Sequence, residues 1–323
     1  MRLVEVLRCP ELFVCLNPNM QADIISEARY HGMQSQLLPL FNGTCHYHRS
    51  VWGQLPAAIR QQLTNDYYGF SVQQRGLHRE LRLLKSALGE NAIHNMVVLK
   101  GAAYHLAGIE ELEGRTMSDI DVWVNEKDLK GIEDQLVNGG WVHSHLDDYD
   151  EKFYREWSQE IPPMKHYERR VELDVHFRIL PKALASSEQA LKLLRYTQWT
   201  KPGIRVLTLP AMIIHSAIHL FHESEYRRGP RDIFDLYLLF TRLSQEPEGW
   251  HSLMAIQDEV GQGESVFLAL RYCQKLFRLT VPENVMVYYQ RSTPNRALLN
   301  VLDNAFVMVF SNSFPPYRLV VTA

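Results

Sequence analysis

The sequence has four cysteines, Cys9, Cys15, Cys45 and Cys273, and none falls in a Cys-x-x-Cys spacing. That argues against a zinc ribbon or a disulfide scaffold and fits a reduced chain whose cysteines act as small buried apolar groups. The tract Cys45-His46-Tyr47-His48 lacks the second half that a closed zinc site needs, so no zinc is expected there. No apolar run reaches the ~20 residues of a membrane span. The opening MRLVEVLRCPELFVCL is interrupted by Glu5, Arg8, Pro10 and Glu11, unlike a secretion signal. A cytoplasmic chain with no membrane partner is the expectation. Charge of one sign is also missing: the net formal charge is -3, which does not announce a long nucleic-acid track. Low-complexity tracts and internal repeats are absent as well. What remains, 46% hydrophobic and 22% charged residues over 323 positions, is globular composition with room for two or three packed units.

Periodicity divides the chain. Residues 1 to about 90 read as helical, and Leu77, Leu81, Leu84 and Leu88 form a stripe that Gly89 is placed to stop. Met96-Val97-Val98-Leu99 is a short apolar run of the buried-strand kind, ended by Lys100-Gly101 and followed by helical spacing in AAYHLAGIEEL. From Met117 to Val124 the pattern alternates. Ile120, Val122 and Val124 take one face; Asp119, Asp121 and Trp123 take the other. Asn125 is placed to cap a helix that Gly139-Gly140 closes. A second alternating strand spans Val171 to Ile179, with Glu172, Asp174, His176 and Arg178 on its polar face. After about residue 183 the pattern is helical, with Pro210 and Pro230 at helix starts.

Chemistry is suggested first by Asp119 and Asp121. Carboxylates two residues apart on a strand point to one side and repel unless a cation lies between them. Hard oxygen ligands suit magnesium, which takes one or two carboxylates plus phosphate oxygens and water. The bland alternative is a solvated strand face bearing two acids. The apolar opposite face anchors the strand, however, and the upstream strand, Lys100-Gly101 and helix form a turn suited to an anion. Asp174 could supply a third carboxylate, and such a cluster can hold two metal ions. If the three acids crowd one another, Asp121→Asn relieves repulsion in the metal-free protein.

In combination, LKGAAYHLAG, RTMSDIDVWV and VELDVHFRI resemble the uncharacterised nucleotidyltransferase family of the DNA polymerase beta superfamily. The likeness covers residues 97 to 179 well. It extends more loosely to HRELRLLKSAL before it and to PAMIIHSAIH and RDIFDLYLL after it. The resemblance implies an α+β fold: a nucleotidyltransferase core at 92–182, a small mixed sheet with flanking helices, between helical regions at 1–91 and 183–323. It also implies a magnesium- or manganese-dependent enzyme. Asp119, Asp121 and Asp174 would be the catalytic metal ligands; Lys100, Gly101, Arg115 and Ser118 would serve the nucleoside triphosphate. Arg115 and Ser118 would orient the strand or touch phosphate. The superfamily at large carries Gly-Ser at the turn; here it is Gly101-Ala102, as in the family resembled.

The expected reaction moves a nucleoside monophosphate from a nucleoside triphosphate to an acceptor hydroxyl, with a small molecule such as a sugar favoured over RNA. The same motifs also resemble nucleotidyltransferase toxins acting on transfer RNA ends, and Ala102 leaves open a degenerate nucleotide-binding protein. Two further clusters stand out. His215, His219 and His222 share a helical face, where pocket-lining or core histidines are expected over a metal site. Arg227, Arg228 and Arg231 precede Asp232 and Asp235; either they form a basic rim around the acceptor, or Arg231 pairs with Asp235 at i, i+4.

Overall fold

A computed structural model describes residues 3–44, 49–143, 152, 154, 158–169, 171–180, 187–201, 203–222 and 226–311, so the Cys45–His48 tract lies outside the described residues. Seven strands form one mixed sheet: β1 (Val97–Val98), β2 (Ile120–Trp123), β3 (Trp141–His143), β4 (Met164–His166), β5 (Glu172–His176), β6 (Thr197–Trp199) and β7 (Arg205–Leu207). Their spatial order is β3-β4-β5-β2-β1-β7-β6. The architecture is α+β, with helices surrounding a sheet.

The two strands that alternate most clearly lie next to each other at the sheet's centre. β2 and β5 pair in parallel, with Asp121 opposite Asp174 and Ile120 opposite Leu173. Ile120, Val122, Leu173 and Val175 are all buried, which is what holds this pair in register. β1 runs antiparallel to β2 and parallel to β7, so the apolar run at Met96–Leu99 becomes a short central strand. Asn125 accepts from the Lys127 amide and opens a 3-10 turn that leads into helix Leu129–Asn138.

Gly89 stops the helix that carries the leucine stripe: the stretch Ala57–Asn95 is two helices joined at Gly89, whose φ 74° and ψ 169° are non-helical and open to glycine because it has no Cβ. Two features depart from the sequence expectation. Strands β6 and β7 lie in the stretch expected to be helical. Each is three residues long, too short for a period of two to register, and Gln198 and Trp199 are exposed. In addition, of the described cysteines only Cys273 is buried; Cys15 is exposed.

Beyond β7 the helices Leu209–His222, Gly229–Leu243, Gly249–Val260 and Gly263–Phe277 pack on one another. Helix Leu3–Arg8 from the start of the chain docks against Gly263–Phe277. A single cluster of buried apolar side chains runs through the N-terminal helices, the sheet and the C-terminal helices. Among the described residues, no helix is long and apolar enough to cross a membrane.

Candidate metal centre

Parallel pairing of β2 with β5 brings the three acids together. Asp119 precedes β2, Asp121 is its second residue, and Asp174 is Asp121's register partner. Each offers a carboxylate oxygen, and those oxygens all lie within 4.8 Å of one another. Among the described residues this is the one group of three or more such ligands. Hard oxygen donors at that spacing fit magnesium or manganese, so the residues present suit the ion that the resemblance implies.

The charges are not shared evenly. Lys100 Nζ lies 2.8 Å and His176 Nε2 3.0 Å from Asp121 Oδ1. Burial favours a neutral Asp121, but Lys100 and His176 outweigh it and hold its carboxyl well below the usual carboxylate range. Among the described residues, no comparable cation faces Asp174. Burial, then Asp121, Glu160 and Asp119, push its carboxyl up to about 8. The repulsion expected of the cluster therefore falls on Asp174. Asp121→Asn would strip a compensated charge instead of relieving a crowded one, which reverses the expectation drawn from strand alternation alone.

His176 is buried between two carboxylates, its Nδ1 lying 3.2 Å from Glu160 Oε2. Burial would lower its pKa, yet Glu160 and Asp121 raise it above the ordinary histidine value. The polar face of β5 announced His176 without a role. Glu160 carried no signal, because it lies outside the alternating stretches and meets His176 through an isolated antiparallel bridge.

The nucleotide-binding candidates separate. Lys100 joins the acids and has φ 49°, a left-handed conformation that costs a non-glycine residue energy and is common where function over-determines the backbone. Ser118 Oγ donates to Asp119 Oδ2 at 2.8 Å and accepts from Arg228 at 2.8 Å, so the arginine segment does reach the site. Arg115 turns away. It is buried, with Nε 2.8 Å from Asp235 Oδ2 and a longer approach to Asp232. Arg231 pairs with its neighbour Asp232 at 2.9 Å, so the i, i+4 pair expected between Arg231 and Asp235 is replaced by Arg115–Asp235 across 120 positions.

Gly101 is where the Arg115 side chain passes closest to the turn. A Cβ there would lie 2.9 Å from an Arg115 guanidinium nitrogen and 3.3 Å from Met117 Cβ. Because Asp235 pins that guanidinium, it cannot move aside freely. Gly101→Ala is expected to cost about 1–3 kcal/mol of stability, the usual cost of overpacking. Denaturant melts check this, and an unchanged midpoint would mean the arginine yields.

His105 braces the same turn. Its Nε2 lies 2.7 Å from the Arg115 carbonyl and its Nδ1 3.3 Å from Gln74 Nε2, so a neutral ring donates to the first and accepts from the second. Burial pushes its pKa down to about 4 from an ordinary 6.5. As pH falls through that window the unfolded chain takes up a proton that the folded one refuses. Stability is complete above about pH 6.5 and falls by up to about 3 kcal/mol toward pH 4. His105→Gln should flatten that part of the pH–stability curve; an unaltered slope would place the titration elsewhere.

The histidines of helix Leu209–His222 line a small pocket beside the acids. His215, His219 and His222 border it with Lys100, Gln159, His176 and Arg178. Burial, then His219 and Lys100, drive the His215 pKa well below its ordinary value.

The model of the family described as uncharacterised nucleotidyltransferase matches residues 27–278, well over half of the chain. No curated protein and no solved structure matches it. The match spans the sheet, both sides of the acid cluster and most of the C-terminal helices. The chain belongs to the uncharacterised nucleotidyltransferase family.

Proposed function

We propose that the protein is a magnesium- or manganese-dependent nucleotidyltransferase that moves a nucleoside monophosphate from a nucleoside triphosphate to the hydroxyl of a small acceptor. The observation that carries this reading is the convergence of Asp119, Asp121 and Asp174. In this reading the β1–β2–β5 centre corresponds to a DNA polymerase beta-like core. The acceptor oxygen bonds to the α-phosphorus, the bond to the β-phosphate breaks, and pyrophosphate leaves.

Asp119, Asp121 and Asp174 would hold the metal, which when bound would offset negative charge on the reacting oxygens. The chain's own residues do the rest. Lys100, already 2.8 Å from Asp121, is within reach of a polyphosphate placed over the acids, and Gly101 keeps the turn close. Arg228, hydrogen-bonded to Ser118, adds a positive edge. Asp174, ionised once the metal is bound, would be placed to take the proton from the acceptor hydroxyl. Arg115 orients the start of β2 from within the core and does not touch the phosphates.

The small acceptor is favoured by the near-neutral net charge of -3. The test incubates the purified protein with each α-labelled nucleoside triphosphate, magnesium or manganese, and either a metabolite extract or total RNA. Label should pass to a small soluble product with release of pyrophosphate. Label on RNA ends would transfer the assignment to the RNA-directed reading. No transfer with any nucleotide would leave a nucleotide-binding protein without turnover.

A further inference from the structure

Histidine 176 has both ring nitrogens engaged by carboxylates from different parts of the chain. Nε2 meets Asp121 Oδ1 at 3.0 Å, and Nδ1 meets Glu160 Oε2 at 3.2 Å. His176 and Asp121 are 4% and 3% exposed, so the contact between them is shielded from solvent, while Glu160 is half-buried. The backbone sets this arrangement. Glu160 bridges His176, and the amides of Ile161 and Phe177 donate to Val175 and Gln159, so residues 159–161 run alongside the end of β5. On the other side, His176 is the register partner of Trp123, two residues beyond Asp121 on β2. A ring held at both ends cannot turn without breaking both contacts, one of them fully buried.

We propose that His176 and Glu160 are positioning residues: Glu160 fixes the imidazole of His176, and His176 fixes the carboxylate of Asp121 in the direction that a divalent cation requires. The inference rests on the reading of the three acids as a metal site and adds a supporting chain that neither the family match nor the motif spacing supplies. The physical ground is general. A carboxylate ligand whose free oxygen is hydrogen-bonded offers its lone pairs in one orientation, and loss of such outer support costs ~10–100-fold in metal affinity. A buried ion pair kept only for stability makes a different prediction, because its loss lowers the melting temperature and leaves the cation affinity of the folded protein alone.

The probe is Mn2+, followed by the electron paramagnetic resonance signal of the free aqueous ion in full-length protein, with melting temperature measured in parallel. Glu160→Ala should weaken Mn2+ binding by about tenfold or more. Glu160→Asp keeps the negative charge that faces Nδ1 and should recover part of that loss. His176→Gln, which keeps an N–H for Asp121, should bind more tightly than His176→Ala. Because the two residues act in series, Glu160→Ala combined with His176→Ala should bind no more weakly than His176→Ala alone. Should His176→Ala fail to fold, the cycle is run on His176→Gln, and Glu160→Ala against Glu160→Asp still decides. Parental Mn2+ affinity in folded Glu160→Ala, or full additivity in the double variant, overturns the proposal while leaving the metal site standing. A parent protein that binds no Mn2+ overturns the metal reading itself.

Discussion

Asp174→Asn is expected to leave the metal-free protein more stable than the parent at neutral to alkaline pH, and to remove transfer activity. The folded Asp174 carboxyl sits at about 8, against 3.8 for an unperturbed aspartate. Between those values the unfolded chain has released a proton that the folded chain still holds. The parent therefore loses stability as pH climbs from about 4 to about 8, the full loss being present above that. Asparagine has no proton to release, so the variant escapes the loss. A gain of roughly 1–3 kcal/mol is the expected scale, after discounting for the amide left in a site built for an acid. Magnesium should raise the melting temperature of the parent and do much less for the variant, since a ligand bound only by the folded state stabilises it. Transfer should fall by ~10²-fold or more, because several kcal/mol of charge stabilisation go with the ligand. A variant that is less stable than the parent yet keeps its magnesium response would mean that Asp174 is a structural acid.

Arg115→Ala is expected to be among the most destabilising single changes in the protein. The guanidinium is buried, meets Asp235 at 2.8 Å, and donates to the Thr116 carbonyl. Truncation leaves Asp235 buried without its main counter-charge, with Gln36 at 3.5 Å and Arg231 as its remaining polar support, and drives its already raised pKa further up. Breaking a buried pair from one side costs about 3–5 kcal/mol. Arg115→Met with Asp235→Leu removes both charges, and much of the loss should return. Chemical denaturation of the two singles and the double gives the coupling. Two independent, additive losses would show that the pair is not the unit. Because Arg115 lies four residues before Asp119, Arg115→Ala is also expected to loosen the acid cluster.

The same residues show how much the chain reveals before it folds. β2 and β5 were legible because each has an unbroken apolar face, and burial of that face forces Asp119, Asp121 and Asp174 onto the other side. Lys100-Gly101 was legible as a turn between an apolar run and a helix. Strands β3, β4, β6 and β7 were not, because three residues give too little alternation to separate from a loop. Partnerships were harder still. Arg115 with Asp235, His176 with Glu160 and Ser118 with Arg228 join segments far apart in sequence, and nothing local distinguishes them from solvated charges. Arg231–Asp235 illustrates the hazard: helical spacing permits that pair, yet Arg115 offers a closer and more deeply buried partner for the acid. Strand alternation implies repulsion among the three acids together; that Lys100 and His176 lie against Asp121 is visible only in the fold.

The most direct test is a crystal structure of the protein grown with Mn2+ and a non-hydrolysable nucleoside triphosphate, with anomalous scattering recorded at the manganese edge. The account predicts an anomalous peak bounded by the carboxylates of Asp119, Asp121 and Asp174, with the nucleotide's phosphates at the same peak. Manganese bound elsewhere, or nucleotide bound with the three carboxylates free of metal, would contradict it.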